Sequence, residues 1–221
     1  FSESLEAIYQ VEYEVDPVDG TADELKDRTF KQRNSFVGIK GSYGTFFLGK
    51  HDTAFKESQA KIDLFNDLAG DIENILYGEN RMNDFVGYTT ATFGGGISAT
   101  FNAIKGTGDM GDNSVRDATS ISLNYKTDLF YAALSIDSEV KGYDSTRLSL
   151  QIPFNKMQLG FIYQDTENLS NGVKEDGYVV SVSRKIGNKG VLKVQVAESD
   201  MKLVSGRQTS FGYDYKLGKS T

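Results

Sequence analysis

Four carboxylates, Asp63, Asp67, Asp71 and Glu73, fall in one segment of this chain, and three basic residues, Arg33, Lys50 and Arg81, stand on the stretches that flank it. Asp63, Asp67 and Asp71 repeat every four residues, so any helical turn here would set them on one face. Acids on one side of a narrow passage and bases on the other create a transverse field. Such a field orders water, orients dipolar solutes and tunes ion preference. The plainer alternative is a solvated loop face. Bond-making chemistry has less to work with. His51 is the only histidine and there is no cysteine, so neither a His cluster for zinc nor a Cys-based site can form. One unplaced histidine does not support a Ser-His-Asp arrangement either, and His51 reads as a hydrogen bonder at a loop mouth. No catalytic residue, metal or cofactor is expected.

These charges lie in or beside the segment 51–82. Structureless loops beyond about 12–15 residues are usually functional or disordered. This one carries Phe55, Ile62, Leu64, Phe65, Leu68, Ile72, Ile75 and Leu76, which need something to pack against. The simplest partner is the inner wall of a barrel, with the loop folded into the lumen.

The rest of the chain alternates with period two, the signature of strands with one apolar and one polar face. Leu5, Ala7, Tyr9, Val11, Tyr13 and Val15 oppose Glu6, Gln10, Glu12 and Glu14. Ile121, Leu123 and Tyr125 oppose Ser120, Ser122 and Asn124, and Leu148, Leu150, Ile152 and Phe154 oppose Arg147, Ser149 and Gln151. About a dozen such strands are legible. Short connections fall near 41–42, 94–96, 126–128, 155–156 and 187–190. Long ones are expected at 16–31, 51–82, 105–117, 138–142, 166–175 and 199–207. Short and long connections alternate, so strands running up and down place all tight turns at one end and all long loops at the other. That is the anatomy of an outer-membrane barrel. Strand lengths of about 9–12 residues suit a tilted bilayer crossing, and aromatics gather near strand ends as an interfacial girdle would. The apolar face then meets lipid and the polar face lines a wet lumen. A soluble sandwich or lipocalin-like barrel, with the apolar face turned inward, is the alternative.

Composition bounds the rest. The chain has 221 residues, a net charge of −7, 23 Gly and 2 Pro, and a mean hydropathy of −0.40. The acidic balance argues against nucleic acid, which needs clustered Lys and Arg. No apolar run approaches the ~18 residues of a membrane helix. No signal peptide is expected at Phe1. Gly94–Gly96 reads as a turn and not a phosphate cradle, because no helix follows. The oxygen-rich stretch Gly106–Asn113 lacks the closing Glu of an EF-hand loop and reads as a flexible turn.

At Gln32–Gly41 and Tyr43–Thr53 the sequence resembles the general diffusion porins of Gram-negative outer membranes, in the strand before the constriction hairpin and in the strand entering it. Asp63 to Asp71, then Gly78-Glu79-Asn80-Arg81, look like the inward-folded third loop and its return to the wall. The resemblance implies one β-barrel domain over 1–221, with 51–82 as the constriction loop. It implies a homotrimer of 16-stranded antiparallel barrels in outer-membrane lipid and lipopolysaccharide, passing small hydrophilic solutes and ions. Arg33 and Arg81 match the family's basic cluster, Asp63 and Asp67 its acidic side, and Asp71 stands next to these. Lys50 stands where many relatives carry Arg, which keeps the charge but loses the planar fork. The visible strands resemble the family's third to fourteenth. The sequence is therefore read as an incomplete record of a longer chain, since twelve strands of a larger barrel leave two unpaired edges. Asp16–Arg28 is expected to latch a neighbouring subunit. Inward aromatics are few (Tyr131 is one), which ranks a substrate-specific channel below a general one. The loop acids outnumber the visible bases, which favours cations.

Overall fold

The computed structural model describes residues 5–15, 30–105, 118–202 and 206–218. Its strands form one antiparallel meander, each bonded to its neighbours in chain order. They are β1 (Leu5–Val15), β2 (Phe30–Gly41), β3 (Gly44–Asp52), β4 (Arg81–Thr90), β5 (Ile97–Ile104) and β6 (Ala118–Lys126). There follow β7 (Tyr131–Val140), β8 (Tyr143–Phe154), β9 (Met157–Asn168), β10 (Val173–Ile186), β11 (Gly190–Ser199) and β12 (Gly206–Tyr215). A short helix, α1 (Ala54–Glu57), and one 3-10 turn at Ile72–Asn74 lie between β3 and β4. Among the described residues no pairing joins β1 to β12.

The alternation of ends holds, but two connections expected to be long are short. β7 runs to Val140 and β8 starts at Tyr143. Lys141 and Gly142, at φ 53° and 83°, turn between them. Two successive residues of positive φ match the twist of the flanking strands, so the hairpin closes tightly. The loop expected at 166–175 is mostly ladder, because Thr166 pairs with Glu175 and Asn168 with Val173. Polar residues at these strand ends looked like loop, yet strand pairing tolerates them where both faces meet water. The segments 16–28 and 106–113 singled out above lie outside the described residues.

The apolar rows form a continuous outward belt. Leu123 pairs with Leu134 and Leu134 with Leu148, and all three are exposed. A single sheet has no second sheet to cover this face, so the sandwich alternative fails, and the belt needs a non-aqueous neighbour. The buried apolar residues lie on the other side. One cluster joins Ile62, Ile72, Ile75 and Leu76 of the 53–80 loop to Ile162, Val179, Ala197 and Met201 of the wall. The other gathers Phe47, Met82, Phe85, Ile104, Ala118 and Val140. The polar face is therefore not uniformly wet. Where the loop lies on it, Ser120, Ser135, Arg147, Gln164, Ser181 and Gln195 are buried.

Candidate functional site

The site is built on the loop between β3 and β4. Its root is closed by Thr53, whose N–H donates to the Asn80 carbonyl at 3.1 Å. Beside it Asp52 collects Arg81 at 3.0 Å and Lys56 at 3.4 Å. Asn34 of β2 donates to Asp52 at 3.0 Å and accepts from Arg81 Nε at 2.8 Å. Thr53 also caps α1, accepting from the Lys56 N–H at 3.2 Å. The otherwise unpaired N–H groups of that helical turn are met by the wall. Ala54 N–H donates to Asn102 and Phe55 N–H to Ser120. Tyr131 of β7, an inward aromatic, donates to the Ser58 carbonyl at 3.0 Å.

From α1 the loop crosses the inner face toward β12. The Ile62 carbonyl accepts from Ser181 at 2.6 Å, and Ile62 sits where Gly160 leaves room, since a Cβ there would stand 2.8 Å from its methyl. Gln195 of β11 donates to Asp63 and to the Gly70 carbonyl, both at 3.1 Å, and accepts from the Leu64 N–H at 2.9 Å. Gln208 of β12 donates to the Ala69 carbonyl at 3.2 Å. The loop then returns through Tyr77, which stacks on Tyr143 with ring centroids 4.3 Å apart.

The four predicted acids divide into two kinds. No helix runs through 58–71, so the four-residue spacing does not produce one acidic face. Asp63 is buried and accepts from the N–H groups of Phe65 at 2.9 Å and Ile72 at 3.3 Å. Burial pushes its carboxyl above the ordinary aspartate range, and Asp71 adds repulsion, against the pull of Phe65, Gln195 and Ile72. Asp71 is buried as well; it caps the 3-10 turn through the Glu73 N–H at 2.8 Å and holds the Asp67 N–H at 2.7 Å. Asp67 and Glu73 are exposed. Glu73 lines a hollow of about 440 Å³ with Tyr77, Glu79, Asp137, Tyr143 and Lys202. Asp67, at the loop tip with φ 61°, reaches Arg33 of β2 at 3.3 Å.

The basic residues divide too. Arg33 holds Asp67 from the loop, and Glu12 at 3.0 Å and Glu14 at 3.3 Å from β1. Arg81 lies at the loop root with Asp52. Lys50 is placed elsewhere. The β3–β4 register shifts between Gly49 and His51, and Lys50 pairs with Ser35 on the side of Leu48 and Val86. With these it lines a separate outward hollow of about 430 Å³ that also holds Gln32, Asn83 and Asp84. The extra residue of this bulge is on β4, where Asp84 takes φ 49°; Lys50 faces outward because it lies two residues from outward Leu48 in unbroken register with β2. His51 sits inside, where its Nδ1 lies 2.8 Å from the Asp52 carbonyl and its ring packs on Phe36, Phe47 and Phe85.

Sequence reasoning missed Asp52, Gln195 and Arg147 as site residues. Arg147 is fully buried and meets Glu79 at 2.7 Å. Burial pushes the Glu79 carboxyl up, and Arg147 pulls it back. The signal that could have found Gln195 is its place, as a large polar side chain, between inward Ala197 and Lys193 on a strand otherwise rich in Val. No comparable signal marked Arg147 among the other polar-face residues.

A single-layer antiparallel meander with an apolar outer belt, alternating turn lengths and a long loop fastened across its inner face defines a membrane β-barrel wall. The sequence profile described as Gram-negative porin matches residues 3–221, and the chain belongs to that family. It is an outer-membrane β-barrel protein, of a family and fold of channel proteins. Outer membrane porin protein 32 of Delftia acidovorans is 24% identical over 245 residues, covering 98% of this chain and 67% of that one. The anion-selective porin from Comamonas acidovorans matches with a TM-score of 0.80 and 23% identity over 99% of this chain and 71% of that one. OmpF of Salmonella typhi, solved with daunomycin, matches with a TM-score of 0.77 and 16% identity over 98% and 75% of the two chains.

Proposed function

We propose that this chain lines a water-filled channel for passive diffusion of small hydrophilic solutes and ions. In this reading residues 1–221 belong to one barrel domain, and 51–82 is its constriction loop. The observation that carries the reading is the loop itself. Its apolar side is packed on the inner wall, while Asp67 at its tip meets Arg33 on β2. Asp67 and Glu73 face the passage, Arg33 and Arg81 supply the opposing bases, and Asp63 and Asp71 shape the loop that presents them. Around Arg33 two cations, Arg33 and Lys31, face three carboxylates, Glu12, Glu14 and Asp67. That local excess of acid favours cations. The name of the Comamonas relative favours the opposite preference. Reversal potential in a planar bilayer under a salt gradient separates the two. Ohmic steps with the cation sign support the reading, the anion sign overturns the assigned charge balance, and silence from folded protein overturns the channel.

We further propose a homotrimer seated in lipid and lipopolysaccharide. What supports the trimer is likeness to porins of this fold, one of them described as the trimer form of OmpT of Vibrio cholerae, matched with a TM-score of 0.60 and 14% identity. Cross-linking in detergent that yields only monomers would overturn this.

A further inference from the structure

The loop is fastened mostly by neutral hydrogen bonds, with Asn102, Ser120, Ser135, Ser181, Gln195 and Gln208 of the wall each meeting it. One anchor, close to the root of the loop, differs in kind. Arg147 of β8 has no exposed surface. Its Nη2 lies 2.7 Å from Glu79 Oε1 and donates to the Tyr77 carbonyl at 3.3 Å. Its guanidinium carbon stands 4.3 Å from the centre of the Phe55 ring. Phe55 belongs to the outgoing limb of the loop, and Tyr77 and Glu79 to the returning limb. Gln164 of β9 braces the guanidinium, accepting from Nε at 2.9 Å and Nη2 at 2.7 Å, and donates to the same Tyr77 carbonyl at 2.9 Å. Gln59 of the outgoing limb closes the ring by donating to Glu79 at 3.1 Å.

We infer that Arg147 is the positioning residue of the constriction: it clamps both limbs of the inward loop to β8 and so fixes where Asp67 stands in the passage. The planar fork is what allows one side chain to bond one limb edge-on while stacking its face on the other, which a lysine cannot do. The physics of a buried pair also makes the clamp all-or-none. Removing one partner leaves the other charge buried and alone, whereas replacing both by apolar groups of similar volume is tolerated. A single loss therefore drives the returning limb off the wall, and a double replacement keeps it there.

The inference rests on the channel reading, and the test keeps the two apart. The full-length protein is reconstituted in planar bilayers as parent, Arg147→Met, Arg147→Lys, Glu79→Gln and the double Arg147→Met with Glu79→Met. Strand content by circular dichroism and resistance of the barrel to detergent unfolding report the fold of each. With the barrel intact, Arg147→Met and Arg147→Lys are expected to lose the steady open level, showing fluctuating conductance and a shifted reversal potential. The double variant is expected to regain both. Glu79→Gln, which keeps the shape and removes only the charge, serves if Arg147→Met does not fold, and it is expected to fluctuate as well. Parental conductance, noise and reversal potential in Arg147→Met or Glu79→Gln would overturn the inference. So would a double variant no steadier than the singles. A parent that forms no pores overturns the channel reading instead.

Discussion

Two arginine–carboxylate contacts join the same loop to the same wall, and they behave as opposites. At the tip, Arg33 meets Asp67, whose side chain is 62% exposed. At the returning limb, Arg147 meets Glu79, with side-chain exposures of 0% and 5%. In water an ion pair contributes little, because both charges are already solvated and ordering two long side chains costs entropy. Away from water, the same pair holds its geometry because either charge alone is expensive. The exposed pair is therefore free to act on passing ions, and the buried pair is suited to hold the loop still. A constriction needs both kinds of contact, since a charge can tune selectivity only if its position is fixed.

This contrast can be broken by degrees. The largest effect is expected from Ile62→Ala, which empties a fully buried site between loop and wall. Truncations of this kind cost about 2–5 kcal/mol, and the loop should become a protease target in an otherwise folded barrel. Unchanged resistance to digestion would show that the apolar side of the loop does not hold it. Gln195→Ala should cost less, about 1–3 kcal/mol, by stranding the Leu64 N–H, the Gly70 carbonyl and Asp63; hydrogen exchange at Leu64 reads it, and parental protection there would remove Gln195 as an anchor.

Acidity gives a third handle, smaller and of known sign. Asp63 has a carboxyl pushed above its ordinary value of 3.8 by burial. A group that binds its proton more tightly in the docked loop than in the free one weakens docking as pH rises through the interval between the two values. Docking should thus be firmest below about pH 3.8, weaken as pH rises to the raised value, and level off above it. The slope should shrink in Asp63→Asn, leaving the part due to the raised carboxyl of Glu79, and protease resistance against pH measures it. Asp67→Asn should change stability least, by about 0–1 kcal/mol as for an exposed pair, yet move the reversal potential toward anions. Arg33→Ala should move it toward cations. A reversal potential indifferent to both would place the tip pair off the ion path.

Which residues share a face of each strand was legible from period two alone, because one residue of register decides every side chain on a strand; that the apolar face turns outward was settled by the single-layered sheet. The long inward loop was legible too, from eight apolar residues in a segment without strand rhythm. The roles of its acids were not. Asp63 and Asp71 look like Asp67 in sequence, but they accept loop N–H groups that only the folded turn brings within reach. Lys50 lies two residues from Leu48 and shares its outward face, so strand parity rather than basic character was the signal that bore on its place.

Sequence by itself determined that the chain is a run of strands each with one apolar and one polar face, and that the segment 51–82 carries both charge and apolar surface. Those are properties of residue order, and local backbone geometry is enough to express them. Only the tertiary structure decided which charges stay exposed on the loop and which are buried in its own hydrogen bonds. Arg147 and Glu79 stand 68 positions apart, as the numbers in their contact show, and no local rule relates them. They meet because the four connections from β4 to β8 bring β8 under the returning loop, where exclusion of water makes their pairing obligatory.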